Sequence, residues 1–533
     1  MSVGYRVTAW VLAAVICVFF ALPIYGMVAG WFEATASSDT TSWQIWKNPR
    51  SWELFLKTLW VAVIVAAITT FVGWFTAYCL EAFSFKWRAV ILAFMVAAYL
   101  LSPYIVVQSL IGLLGTNGSL WQFIPNMGFD LYSTTGLVVL EVLWLFPLSV
   151  TICVVGSSFF PAKVADEVRI YRFKGWRWFQ CYAWPKYRWS VFLSFCMISI
   201  LAFWNYEIPS MLRQNMYPIE IMAAFGSFYD YRQAVSLVLV PLVGALFVFL
   251  PWMVLSFKVR AEWTTRRIQA IHSTTRRWLL IIIGIVFALI VWGVPLFSLL
   301  EQISGWSVFK ENFVSFKNDI WNTLQNGLIV ALLASLFAFF LALVCRISSS
   351  VHLERAIWAM AILVWVIPSS LWGMGFVHLF GLPAFAFVRQ MKAELMMVEL
   401  YAALPLAIVL LGLLSQQWTL RQSEELEQYH TPLGQRLRLF WCQFWPNLIG
   451  IQIFTFVLAI REVPASLLNV PPGGATLALT IETLLHFEQP ERVASLCLFQ
   501  LTISLFAVLI LIAFVLIVTS RFRWHSHPAS NLQ

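Results

Sequence analysis

The chain has 533 residues, 61% hydrophobic and 11% charged, against roughly 25% charged residues in soluble domains. That balance excludes a soluble globular protein, so the net charge of +9 is read loop by loop rather than as a signal for nucleic acid. Uncharged runs of about 20 residues, enough to cross a bilayer, recur along its length, and the predicted fold class is an all-α polytopic membrane protein.

Arg6 is followed by no charge until Glu33, a stretch too long for a signal-peptide core, which reads as a retained first span. Further spans are predicted over about 54–80, 89–113, 133–157, 190–209 and 234–257 after a first at 7–30. The second half repeats the series at about 278–300, 321–345, 357–380, 396–415, 447–464 and 494–519. Twelve spans put both termini on one side. The inter-span segments on that side carry 23 Lys and Arg, against about 10 on the other, which predicts cytoplasmic termini. Residues 258–277, with six basic residues against Glu262, form a cytoplasmic linker between halves 1–257 and 278–533. An even number of spans before the linker makes the two six-span repeats parallel, with cores of about 54–257 and 318–519. The eight cysteines stand singly without a C-x-x-C pair and the seven histidines are dispersed, so no disulfide, haem or metal cluster is predicted. His378 and His486 read as packing residues.

The duplication shows in an ordered series of matched positions. Arg177 to Pro185 reads Arg-x-Phe-x-Cys-x-x-Trp-Pro, and Arg438 to Pro446 repeats it 261 residues later. Thr58-Leu59 matches Thr323-Leu324, and Pro103 matches Pro368. Glu141-x5-Pro147-Leu148 matches Glu399-x5-Pro405-Leu406. Glu207-Ile208-Pro209 matches Glu462-Val463-Pro464, and Ile219-Glu220-x4-Phe225 matches Ile481-Glu482-x4-Phe487. The first and seventh spans share little and look like additions outside the repeated core.

Both copies of the nine-residue sentence fall in charged islands on the predicted cytoplasmic side. Residues 162–176 and 423–438 fit short helices with an apolar stripe and charged flanks, suited to docking in another protein's groove. The alternative is an ordinary solvated loop, held at the interface by Trp184 and Trp445. The acids Glu141, Glu207, Glu220, Glu399, Glu462 and Glu482 lie in or near the spans, where ionisable groups are costly and face a protein interior or an aqueous path. Three duplicated acid pairs would favour a cationic substrate. The alternative is that they hydrogen-bond helix ends or pair locally, Arg461 being at hand for Glu462.

The islands resemble the cytoplasmic motif of permease subunits of binding-protein-dependent ABC importers: Glu-Ala-Ala, three variable residues, Gly, nine residues, then Ile-x-Leu-Pro. Counted back from Pro185, Asp166 and Glu167 fall on the Glu-Ala-Ala and Arg172 on the glycine, with Gly175 three residues beyond. From Pro446, Glu427 takes the leading acid, with Gly434 one residue past the glycine's place. The chain is closest to fused double permeases of the ferric iron and thiamine kind. That resemblance implies a type I importer architecture, two ABC ATPase subunits docked on the islands, and an extracytoplasmic substrate-binding protein. It also implies a bacterial inner membrane location, a small solute such as ferric iron or thiamine, and no catalytic residue in this chain. No Gly-Lys dipeptide occurs, so ATP would be bound by the partner subunits. The rival reading is a secondary transporter of the major-facilitator kind, which also has two parallel six-span halves. Its Gly-x-x-x-Asp-Arg-type signature would fall where this chain has Glu81 to Arg88.

Overall fold

Long apolar runs with few breakers dictate helices, since in lipid a helix satisfies every backbone group within one segment. The computed structural model describes residues 3–36, 48–81, 85–115, 130–157, 175–227, 230–258, 289–348, 351–415, 433–485 and 490–521, with a few single positions between them. Among the described residues every regular element is helical. Among the described residues eight helices are long and apolar enough to cross a membrane, or up to eleven if each of three sharply bent pairs is one span. The chain is a multi-pass membrane protein.

In chain order the helices are α1 (Val3–Ala36), α2 (Pro49–Leu80), α3 (Phe85–Leu100), α4 (Pro103–Leu114), α5 (Thr134–Ser157) and α6 (Gly175–Phe203). The short α7 (Glu207–Met211) and α8 (Tyr217–Gly226) follow, then α9 (Tyr231–Lys258) and α10 (Leu289–Glu301). Next come α11 (Trp306–Ser315), α12 (Lys317–Ser348), α13 (Val351–Val366), α14 (Ser369–Gly381), α15 (Ala386–Gln390) and α16 (Glu394–Ser415). The chain ends with α17 (Leu433–Ala459), α18 (Pro464–Leu468), α19 (Leu477–Leu485) and α20 (Pro490–Arg521).

Two predicted spans are broken where the matched prolines stand. The axis turns by 79° between α3 and α4, and by 97° between α13 and α14. Pro103 opens α4 after an extended Ser102, and an extended Pro368 caps α14. Proline has no N–H for the helical ladder and pushes the residue before it out of the helical region, so both spans break at the same place. A third bend, of 98°, separates α10 from α11.

Contacts divide the chain into two compact units. Unit 1 is Met1–Trp52, Ile219–Phe257 and Lys310–Gln489; unit 2 is Glu53–Pro218, Lys258–Phe309 and Pro490–Gln533. Unit 1 holds the N-terminal end and unit 2 the C-terminal end, and each joins three segments drawn from both halves of the sequence.

In unit 1, α1 packs on α14, and α12 packs on α16 and α17. Gly26 and Gly375 let the first pair approach closely, because a Cβ on either would run into backbone of the other helix. Tyr401 on α16 sits among the rings of Phe20, Trp372 and Phe376, and its hydroxyl donates to the Phe20 carbonyl at 2.9 Å.

In unit 2, α5 packs on α3 and α6, and α10 packs on α4. The Ser194 hydroxyl lies 3.3 Å from that of Thr70 and 2.7 Å from that of Ser149, which joins α2, α5 and α6 by a buried hydroxyl chain. Ser298 donates to the Ser109 carbonyl at 2.7 Å, and Gln108 donates to Gln302 at 3.2 Å.

Candidate functional site

Much of the predicted docking surface, with Asp166, Glu167, Arg172 and Glu427, lies outside the described residues, as does His486. What is described begins at the islands' ends. Gly175 opens α6 exposed and at φ +58°, a left-handed conformation natural to glycine. One turn later, Phe179–Ala183 forms a π turn in which the N–H of Trp184 donates to Phe179. This widened turn sits immediately before Pro185, which cannot donate to the ladder. Pro446 lies inside α17, and Gly434 is exposed at its start.

A buried polar cluster follows the first island directly. Lys186 Nζ lies 2.6 Å from Glu81 Oε1, both side chains being at most 4% exposed. The Tyr187 hydroxyl donates to the same carboxylate oxygen, and Lys186 donates to the Tyr182 hydroxyl at 3.1 Å. The ammonium also sits over the rings of Tyr182 and Tyr187, 5.1 and 5.6 Å from their centres. An ion pair out of water stands only when further hydrogen bonds repay desolvation, and here two tyrosines supply them. The cluster ties the end of α2 to the island end of α6. Sequence reasoning missed it; its one local sign is the charged Lys186 set between two tyrosines and an apolar run.

In the second island the matched positions are Asn447 and Leu448. There α17 is held to α12 by rings: Phe339 packs edge-on against Phe440 and Trp441, each 5.3 Å away, and Phe440 lies 4.4 Å from Phe444.

The acids are brought to the places where spans break. Glu141 of α5 is buried and faces Asn205, in the irregular stretch between α6 and α7. Among the described residues neither Glu141 Oε2 nor Asn205 Nδ2 has a hydrogen-bond partner. Glu399 of α16 is equally buried, its Oε2 likewise without a partner, and it faces Glu462 between α17 and α18. Glu462 accepts from the Ala465 N–H at 3.3 Å, with Ser369 and Arg461 as polar neighbours. Glu207 opens α7 half-buried. Glu220 pairs with Arg50 at 3.5 Å, whereas the matched Glu482 is buried in α19. His378 lies 3.8 Å from Glu33.

A second duplicated feature frames these breaks. Thr58 Oγ1 accepts the Tyr217 N–H at 2.9 Å, and Thr323 Oγ1 accepts the Leu477 N–H at 2.8 Å. Each threonine, buried in a long span, thus holds the first turn of the short helix that follows the break, where N–H groups lack partners. Sequence reasoning found both threonines by their repetition but not what they touch. Comparison with protein families and with characterised proteins finds no family model and no curated relative that matches this chain.

Proposed function

We propose that this chain is the permease of an ATP-driven importer, carrying a small cationic solute such as ferric iron or thiamine across the inner membrane of a bacterium. One observation carries the reading: a buried carboxyl group with an unpartnered oxygen faces a helix break in each unit. Buried polar atoms are nearly always hydrogen-bonded, and irregular backbone at membrane depth is tolerated where it is enclosed by protein or lines a cavity. Broken helices at matched positions of two repeats are where transporters place substrates. In this reading twelve spans form two parallel repeats with both termini cytoplasmic, and the acids at the breaks line the path.

The two islands dock a pair of ABC ATPase subunits, and an extracytoplasmic binding protein delivers the substrate. Movement of the first island passes to α2 through the Lys186–Glu81 pair. Movement of the second passes to α12 through the rings around Phe440. Docking draws on the acids Asp166, Glu167 and Glu427, so the test starts there.

Photo-crosslinkers at positions 166 and 427 of the full chain, in native membranes, should each capture one MgATP-hydrolysing subunit. Reversal to Lys at Asp166 with Glu167, or at Glu427, should abolish ATP-dependent uptake with the protein still inserted. Uptake driven by a proton gradient alone, with no ATPase captured, would replace this reading with a secondary transporter.

A further inference from the structure

Between α2 and α6 of unit 2 lies an apolar groove of about 630 Å³, whose lining includes Ala67, Phe71 and Trp74 on one helix and Trp184, Arg188 and Phe195 on the other. Its walls are side chains that face outward: Phe71 is 63% exposed and Trp184 47%. On a membrane-crossing helix pair the medium that meets such side chains is the bilayer. From Ala67 to Trp74 the groove runs roughly 10 Å along the helix axis at the usual rise, the direction an acyl chain takes.

The chemistry is graded along that length. The deep end is hydrocarbon and aromatic apart from the buried Thr70 hydroxyl, which is already paired with Ser194. The end nearest the island carries two indoles, Trp184 and Trp189, and the Arg188 guanidinium, which lies 5.5 Å from the Trp189 ring. Among the described residues Arg188 makes no ion pair. Tryptophan favours the level of lipid headgroups, and arginine binds a phosphate through two parallel N–H donors.

The repeat supplies an internal control. Arg188 and Trp189 correspond to Ile449 and Gly450, counted from the proline of each nine-residue sentence. Trp74 and Phe179, 6.3 Å apart in unit 2, correspond to Phe339 and Phe440, which pack at 5.3 Å with both side chains buried. At the matched positions of unit 1 the two rings lie closer together, and Ile449 stands in place of the cation.

We infer that the α2–α6 groove is a binding site for one anionic phospholipid, whose acyl chain lies along Phe71 and Phe195 and whose phosphate meets Arg188. A zwitterionic lipid offers the same chains, but its own ammonium group competes for the phosphate, so the guanidinium selects net negative charge. This assignment rests on the membrane location alone and stands whether or not the chain is an importer permease.

The test is native mass spectrometry of the full-length chain titrated with palmitoyl-oleoyl phosphatidylglycerol or the matching phosphatidylcholine. Wild type should retain one phosphatidylglycerol in preference to phosphatidylcholine. Arg188→Gln should lower that preference by about fivefold, the effect of one basic group at a membrane surface. Arg188→Lys should keep most of it, which separates loss of charge from loss of fold. Ala67→Trp, which fills the deep end, should release both lipids, and Ile449→Gln should change nothing. An unchanged preference in Arg188→Gln, or full retention in Ala67→Trp, would overturn the assignment. So would a disulfide-linked dimer of the full chain formed through Phe192→Cys, which would give the groove to a second copy.

Discussion

The two islands share a nine-residue sentence and are fastened in different ways. In unit 2 the residues after Pro185 carry Lys186 and Tyr187 into a buried pair with Glu81 at the end of α2. In unit 1 the residues after Pro446 are Asn447 and Leu448, and α17 is held to α12 by Phe339, Phe440 and Trp441. A charge pair is directional and breaks at a high cost, whereas ring packing is adaptable and loses its contacts gradually. Both units keep a ring pair at the matched positions, Trp74–Phe179 and Phe339–Phe440, and unit 2 adds the ion pair.

Breaking the comparison at its strongest point gives the largest effect. Lys186→Met leaves the Glu81 carboxylate buried without its cation and should destabilise the protein by about 3–5 kcal/mol. Glu81→Gln with Lys186→Met removes both charges and should recover most of that loss, because the buried pair itself contributes little net stability. Asn447→Leu, at the matched position of unit 1, should stay within about 1 kcal/mol of wild type, as substitutions with no buried partner usually do. Denaturation in detergent micelles, followed by tryptophan emission, reads all three. A Lys186→Met protein as stable as Asn447→Leu would mean that rings hold both islands and that the ion pair is incidental.

The next effect sharpens the likeness between the units. Thr58→Val and Thr323→Val keep the shape of the side chain and remove the oxygen that accepts a buried N–H at the start of α8 and of α19. Each should cost about 1–3 kcal/mol, the penalty of an unsatisfied buried donor. Faster amide exchange should follow at Tyr217 in the first variant and at Leu477 in the second. Equal losses would make the clasp a shared device of the two repeats. A loss in one variant alone would assign it to that unit.

Much of this arrangement was legible in the chain before any coordinates. Pro103 and Pro368 stood out by repetition, but they were read inside single spans at 89–113 and 357–380, and the breaks they cause were not foreseen although the missing N–H is local. Thr58 and Thr323 stood out by repetition, although their partners, Tyr217 and Leu477, are more than 150 residues away and leave no mark near them. The make-up of the two units was not legible. Apolar periodicity says that a helix is covered and not by what, so the packing of α1 with α12 and α14 could not be read from α1. The same holds for Lys186, which looks like one more island cation until α2 delivers Glu81 to it. The acids were found as a class, because charge in a span is conspicuous. Asn205 and Ser369 were missed, because neutral polar residues beside a break are not.

The smallest expected effect tests the last difference between the units, the company of the buried acids. Glu141 faces an amide, Asn205, whereas Glu399 faces a second carboxyl, Glu462. In unit 2 the polar neighbour is the best available partner for a buried carboxyl group. Among the described residues, however, Asn205 Nδ2 makes no hydrogen bond that the substitution would remove, so Asn205→Ala should change stability by no more than about 1 kcal/mol. In unit 1 the neighbour is a second buried carboxyl. Glu399→Gln keeps the size of the side chain and replaces one carboxyl oxygen with two donors that Glu462 accepts. This variant should be neutral or more stable by up to about 1 kcal/mol, a change of a few degrees or less in a protein of this size. Uptake under the proposed function should fall in Glu399→Gln despite the unchanged fold, and fall further when Glu462→Gln is added, because the site then holds no carboxyl group for a cation. A clear loss of stability in Glu399→Gln would reverse the argument: the two carboxyls would then be holding each other through a hydrogen bond, and the break in unit 1 would be fastened by its acids rather than opened by them.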